Sequence, residues 1–500
     1  SSTARKIKQI GKTNLLAVDE IHNFYSKTSD RTKTLGSNYA ESRIFFTATP
    51  INRKFSDLIQ LMNLLGIADL DSEIVRKMKN LDEKINSPKT ETRDAARNEA
   101  KKLVQRFMIR RTRDDLKKIV QSRSSEYSKT GKLANYPSYM PENYSLKSNI
   151  DHKIVEELDE LVNQIKGISR LSKIELSKKQ RKIGIKEDNY LKSRINGAVG
   201  LAKWQIWKTL DSSKIALYEH IYGTIMAEDK YLIDSSKKNK NMGIIATLEK
   251  IKLPIWGLSD ELKNSSNTPK WLIDIEEFEK IKQREIEIYE NIIKISQRLS
   301  DNRMDAKISL VMKSLNQGKK VLAFDTCLIS LSYFEKILKD ENKEVHLFTG
   351  SSGGSKKKRS RRSEELFGLE SDLEPRVGLM SDSMSEGINL QGTSVLIHFT
   401  EPSTIRIAEQ RVGRVDRMDT KFEEISIFWP IRDSISSKMK DHLRERATLV
   451  SDVLGSNLKL PGDEDIEEDL NIDELSLSAE AMNEKMLANK NGLFDAFHDI

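Results

Sequence analysis

A single cysteine, Cys327, in 500 residues excludes an intramolecular disulfide and a cysteine-based zinc site. A reducing compartment, the cytoplasm, is the expected location. Long apolar runs are also lacking. The longest fall far short of the roughly 20 residues that a membrane helix needs, so no membrane span is expected. Neither an initiator Met nor a secretory signal precedes Ser1-Ser2-Thr3-Ala4-Arg5, and the chain reads as if cut from something longer. Basic residues are missing from Asp463 to Glu474, which holds eight carboxylates. The net charge of +8 therefore understates how basic the remainder is. That favours a polyanionic partner, though lysine-rich composition alone can produce it.

What is present is charge and periodicity. Hydrophobic residues at 37% and charged residues at 32% describe a soluble, helix-rich chain, long enough for about three domains. Its organising stretch is Ser385 to Met418. Ser385-Glu386-Gly387-Ile388-Asn389-Leu390-Gln391 precedes an apolar strand, Val395 to Phe399. Then comes Gln410-Arg411-Val412-Gly413-Arg414-Val415-Asp416-Arg417, with arginines three apart, on one helical face or turn. The bland alternative is a solvated basic helix end. A planar cation that keeps its charge suits a transferring phosphate.

Near the other end, Asn14 to Val18 is an apolar run closing on Asp19-Glu20-Ile21-His22. Arg43 to Phe46 closes on Thr47-Ala48-Thr49-Pro50. Both read as central strands of a parallel sheet with polar residues at their carboxyl ends, the edge where open α/β sheets bind ligands. An Asp there can hold Mg²⁺ through water, and an adjacent Glu can polarise an attacking water.

With these in view, DEIH at 19–22 and TATP at 47–50 resemble motifs II and III of superfamily 2 helicases. SEGINLQ at 385–391 and QRVGRVDRMD at 410–419 resemble motifs V and VI. The wording is similar to Swi/Snf-type ATPases, and within them to the bacterial RapA-like branch, through TATPINRKFSDLIQLMNLL, FMIRRTRDDLKK and KTLDSSKIAL. The resemblance covers about residues 13–118 and 305–430 well and the middle loosely.

The resemblance implies an α/β fold of two RecA-like parallel-sheet lobes, the first incomplete, with a large helical insertion. The expected divisions are 1–66 for the first lobe, 67–304 for the helical region, 305–450 for the second lobe and 451–500 for an acidic linker and tail. It implies ATP and Mg²⁺, with Asp19 on the metal, Glu20 activating water, and Arg414 and Arg417 as arginine fingers. Gly387, Gln410 and Arg411 would face the nucleotide. His22, Thr47, Thr49, Ser385 and Glu386 would couple nucleotide state to nucleic-acid contact. Arg417-Met418-Asp419-Thr420 departs from the Arg-Ile-Gly-Gln of many relatives, which puts any contact made by that Gln in doubt.

Gly11-Lys12-Thr13 is a decoy. No Gly stands five residues before Gly11, a strand follows where a helix should, and no stretch has GxxxxGK[ST]. The phosphate loop is expected upstream of Ser1, and the chain alone is not expected to hydrolyse ATP.

The middle reads as helical. Phe55, Leu58, Ile59, Met62 and Leu65 keep helix spacing up to Gly66. Glu91 to Met108 is a further helix, leading into Arg110-Arg111-Thr112-Arg113, basic residues expected near nucleic acid or the inter-lobe cleft. Ser124 to Pro141 reads as a connector. Tyr190 to Tyr222 is one long helical region in which Trp204 and Trp207 share a face, with core packing the bland reading and base stacking the sharper one. Gly350 to Ser363 reads as a flexible basic loop. Its Lys356, Lys357, Lys358 and Arg359 are candidates for phosphate contact, against a plain solvated insertion or a targeting signal. Cys327, with no partner, reads as a buried or partly buried thiol.

The function expected is an ATP-dependent nucleic-acid motor, with double-stranded DNA favoured and other subunits or domains of a larger protein as further partners, in genome maintenance or anti-phage defence. A non-catalytic helicase-like platform and an RNA-dependent ATPase remain open beside it, because backbone-tracking contacts carry little sequence information. No nuclease constellation is visible.

Overall fold

The computed structural model describes residues 13–26, 29–38, 40–52, 54–67, 72–110, 112–128, 136–147, 149–171, 186–235, 239–252, 258–350, 356–384, 388–418, 420–456 and 458–461. Strands alternate with helices, and every strand pairing is parallel. The fold is α/β, with two parallel-sheet lobes and a large helical region, residues 149–316, that interrupts the second.

In the first lobe, β1 (Thr13–Val18) pairs with β2 (Ala40–Phe45), Val18 opposite Phe45. Both were expected to be central strands of a parallel sheet. Among the described residues this sheet has two strands, and it is partly open: Leu15 is 50% exposed and Phe46, just past β2, is 54%. The helix Ser56–Leu65 covers the sheet with Leu58, Ile59 and Met62, and ends at Gly66, whose φ of 85° suits a residue without a Cβ.

The core does not stop at residue 66. Helices Ser72–Lys84 and Thr90–Val104 join the same apolar cluster through Met78, Leu81, Ala100 and Val104. Their apolar stripes enter that cluster, so the first lobe's packing runs on to about residue 104.

The second lobe is a six-stranded sheet in the order β3-β8-β7-β4-β6-β5. Its strands are β3 (Ser138–Tyr144), β4 (Val321–Asp325), β5 (Val345–Phe348), β6 (Val377–Ser381), β7 (Val395–His398) and β8 (Glu424–Pro430). Alternation along β4 sends Val321 and Ala323 to one apolar layer and Leu322 and Phe324 to the other, as the period of a strand requires. The strand expected over Val395 to Phe399 is β7.

β3 corrects the connector expected over Ser124 to Pro141. It pairs in register with β8 from Ser138↔Glu424 to Tyr144↔Pro430. Pro141, Asn143 and few β-branched residues hide it in the sequence. A strand with one neighbour tolerates them, since Pro removes a donor that an edge does not need.

The basic segment is a second correction. Lys356–Phe367 is a helix, not a loop, anchored by Phe367, which is fully buried against Phe348. A third concerns Tyr190 to Tyr222, which divides into Glu187–Ser212 and Lys214–Tyr222. Ser213, extended at φ −172°, breaks the run and caps the second helix by accepting from the Ala216 amide.

The helical middle has its own core, built on Val155, Leu158, Val162, Ile206, Trp207, Phe278, Tyr289 and Ile292. The His442–Leu454 helix returns from the second lobe to pack on Thr90–Val104, and an ion pair joins Arg97 to Asp452 at 2.5 Å.

Candidate active site

The carboxyl ends of β1 and β2 are tied together before any side chain acts. The Phe46 amide donates to the Val18 carbonyl at 2.9 Å, and the Ile21 amide donates to the Phe46 carbonyl at 3.1 Å. This lays Asp19-Glu20-Ile21-His22 beside Thr47-Ala48-Thr49-Pro50. Glu20 takes a left-handed backbone, φ 52° and ψ 48°, sparsely populated for a residue with a side chain. Its amide donates to Asp19 Oδ1 at 2.8 Å. Asp19 is exposed.

His22 is buried and links the two loops. Its Nδ1 lies 3.2 Å from Glu20 Oε2 and 3.0 Å from Thr47 Oγ1, which also accepts from the Thr49 amide at 3.1 Å. The Glu20 side chain remains half exposed at 50% while the His22 side chain is at 2%. The imidazole therefore senses both the carboxylate and the second loop.

Across a cleft of about 790 Å³ stand residues of the second lobe. Glu20, His22, Thr47 and Thr49 line one wall; Gln410, Arg414 and Arg417 line the other. Arg414 is 8% exposed, donating to the carbonyls of Ile388 at 2.7 Å and Gln410 at 3.0 Å. Arg417 is half-buried and donates to the Gly413 carbonyl at 2.8 Å; burial lowers its pKa below the usual guanidinium value, which the Glu364 charge partly offsets.

Arg411 departs from the expectation. It is fully buried, pairs with Asp382 at 2.6 Å, donates to the Thr400 carbonyl and lies over the Phe324 ring. Its Nη1 is 3.2 Å from His398 Nδ1; burial and the Arg411 charge hold His398 well below its usual pKa, so that nitrogen accepts. The last helical turn aims Arg411 into the sheet, whereas Arg414 and Arg417 follow the helix end at Val412 and reach the cleft. Arg411 is thus packed into the sheet and does not line the cleft.

Arg110 lines the inter-lobe cleft, one of the two places expected for it. Its guanidinium donates to the Ala48 carbonyl at 2.6 Å and to the Gly455 carbonyl at 3.4 Å, with Glu409 at 4.0 Å. It struts the cleft rather than facing outward. Lys357 and Lys358 are exposed on the basic helix and Arg359 is half-buried. Ser385, Glu386, Gly387 and Arg111, and the side chains of Arg113 and Lys356, lie outside the described residues.

Sequence reasoning missed Asp382, Glu409, Tyr136 and Gln391. Asp382 follows β6 directly, so the logic that singled out Asp19 would have found it. Gln391 donates to the Met418 carbonyl at 2.6 Å, and the Leu390 amide donates to the Arg414 carbonyl at 3.1 Å. The segment after Gly387 is thereby laced to the arginine-bearing turn.

Two family models match parts of the chain. A profile described as the SNF2-related domain matches residues 1–133, and one described as the helicase conserved C-terminal domain matches residues 304–419. Each lobe thus contains a segment similar to a domain of Swi/Snf-type helicases. A search of curated proteins returns no match. Similar solved structures include the C-terminal part of the Fun30 ATPase domain, with 17% identity, 73% of this chain and 99% of that one covered, and a TM-score of 0.30. The Sulfolobus solfataricus SWI2/SNF2 ATPase core in complex with dsDNA has 15% identity, 83% and 63% coverage and a TM-score of 0.25. The RNA helicase Prp28 from Chaetomium thermophilum bound to ADP has 19% identity, 29% and 34% coverage and a TM-score of 0.24. Likenesses this distant carry nothing about what the two lobes bind.

Among the described residues no group of three or more His, Cys, Asp or Glu is placed to cage a metal, and no helix is long and apolar enough to cross a membrane. A single exposed carboxylate, Asp19, fits Mg²⁺, which keeps several waters and shares itself with substrate phosphates. Cys327 is half-buried, and burial pushes its thiol up to about 11, which makes it a poor nucleophile at neutral pH.

Proposed function

We propose that this chain carries the catalytic half-sites of an ATP-dependent nucleic-acid motor of the RapA-like branch, tracking on double-stranded DNA. The observation that supports this most is the cleft, which faces Glu20 and His22 of one lobe with Gln410, Arg414 and Arg417 of the other. In phosphoryl transfer there is little covalent work for a protein to do; positioning and charge stabilisation dominate. Mg²⁺, when bound, would neutralise charge on the substrate phosphates. Asp19 would hold it through water. Glu20 would orient the attacking water and take its proton, with His22 fixing the carboxylate and relaying its state to Thr47. Arg414 and Arg417 would stabilise charge developing on the γ-phosphoryl oxygens.

The test is ATP hydrolysis by the natural full-length protein with duplex DNA, single-stranded DNA or RNA, beside Glu20→Gln. Duplex should stimulate most, and Glu20→Gln should bind ATP while losing turnover. Turnover retained in that variant would sink the assignment of Glu20; stronger stimulation by RNA would change the track. A role in genome maintenance or anti-phage defence is part of the proposal through the RapA-like wording. Plaque counts on bacteria carrying the gene, wild-type or Glu20→Gln, check the defence arm.

A further inference from the structure

A second cavity, about 370 Å³ in volume, opens where β7, β8 and β3 end, and it shares no lining residue with the cleft. One wall is the Glu187–Ser212 helix, which presents Trp204 and, one turn on, Lys208. Trp204 is 43% exposed, whereas Trp207 on the same helix is 3% exposed in the core. The two indoles therefore part company. An indole left half open on a cavity wall is a stacking platform, since every base has a π-face.

The charge of the cavity is positive. Lys208, Arg432, Lys440 and Arg446 line it, against the carboxylates of Asp211 and Glu401. Both carboxylates are already engaged: Asp211 pairs with Arg303 at 2.7 Å, and Glu401 with Arg432 at 3.1 Å. Burial also raises the Glu401 pKa, which favours its neutral form. Two helices begin at the cavity, Ile405–Val412 capped by Thr404 and His442–Leu454 capped by Asp441, so their amino ends add to the positive potential. Lys440 is exposed at the rim.

We propose that this cavity binds one nucleotide unit, its base against Trp204 and its phosphate among Lys208, Lys440 and Arg446, and that the unit belongs to a strand. A volume of about 370 Å³ can take one nucleotide unit. The proposal rests on the nucleic-acid reading above only for the source of that unit. The Ile405–Val412 helix starts at this cavity and carries Gln410 to the cleft, so a unit held here sits on the element that bears the cleft residues.

The test is photocrosslinking of a single strand containing 5-iodouracil, with 5-iododeoxyuridine monophosphate as a second arm, and mapping of the labelled peptide. The strand should label the peptide bearing Trp204. Trp204→Leu and Lys440→Glu should each lower strand affinity about tenfold, while Trp204→Phe, which keeps a flat ring, retains it. Labelling at Trp204 by the monophosphate that the strand does not displace would overturn the assignment to a strand. Labelling elsewhere only, with duplex-stimulated hydrolysis intact, would overturn the cavity and leave the motor standing. Absence of any stimulation by nucleic acid would count against the motor itself.

Discussion

Arg411 and Arg417 carry the same charge six residues apart and do different work. Arg411 is buried with Asp382, so Arg411→Ala leaves a carboxylate without its cation and should cost about 3–5 kcal/mol of stability. Arg417 is half-buried with a backbone partner, and Arg417→Ala should cost about 1 kcal/mol or less. If Arg417 is a finger, its loss should lower hydrolysis by about 10³–10⁵. Thermal melts read beside hydrolysis rates separate the two roles. A similar rate loss in Arg411→Ala at a temperature where it is folded would restore it to the site. Glu285 offers a different residue-scale test. It is 1% exposed and accepts from the amides of Lys166 and Ile168, yet burial raises its pKa to about 7. The folded state thus binds this proton more tightly than the unfolded state. Its stabilising share is complete below about pH 4.5 and is lost as pH rises through about 7. Urea melts should show the wild type losing on the order of 2–3 kcal/mol relative to Glu285→Gln between pH 5 and 7.5.

At the scale of elements, the His442–Leu454 helix closes the second lobe onto the first. Its ion pair with Arg97 is conspicuous, but the Asp452 side chain is 41% exposed. Half-open pairs contribute little. Leu449 at 3% and Val453 at 2% sit in the shared apolar cluster instead. Leu449→Ala should cost about 2–5 kcal/mol, and Asp452→Ala under about 1 kcal/mol. Equal losses in denaturant melts would mean that the charge pair, not the apolar face, holds the helix. The basic helix and β3 teach a related lesson. Lys356–Phe367 exists because Phe367 and Leu366 have a core to enter, and β3 exists because β8 offers an open side. Neither reason is local, which is why a run of lysines read as a loop and a Pro-bearing segment as a connector.

At the scale of the molecule, the helical middle is fastened to the second lobe. Arg303 bridges Asp211 and Asp433, Lys307 donates to the carbonyls of Asp211 and Ser212, and Ser212 donates to Asp325 at 2.7 Å. These groups are buried, and breaking such a network strands charges. Among the described residues, the apolar core of the middle includes no residue of the first lobe. The middle should therefore travel with the second lobe when the cleft closes. Dye pairs placed in a Cys327→Ser background test this. The distance between positions 264 and 340 should stay constant on adding nucleotide and duplex, while that between 63 and 340 changes. A change in the first distance would show the middle moving on its own. Much of this architecture was legible beforehand. Apolar runs ending in Asp-Glu or Thr-Ala-Thr marked strands by period and carboxyl-end chemistry, and helix stripes such as Phe55 to Leu65 marked their buried faces. Those signals live within a few residues, so the sequence by itself determined the parallel α/β class, the two lobes and the cleft-lining Glu20, Arg414 and Arg417. Only tertiary structure decided that Arg411 turns inward to Asp382, that Arg110 bridges Ala48 and Gly455, and that Trp204 and Trp207 face different surroundings. Each depends on what another segment, tens to hundreds of residues away, brings alongside, and burial and pairing are properties of that meeting rather than of the residue.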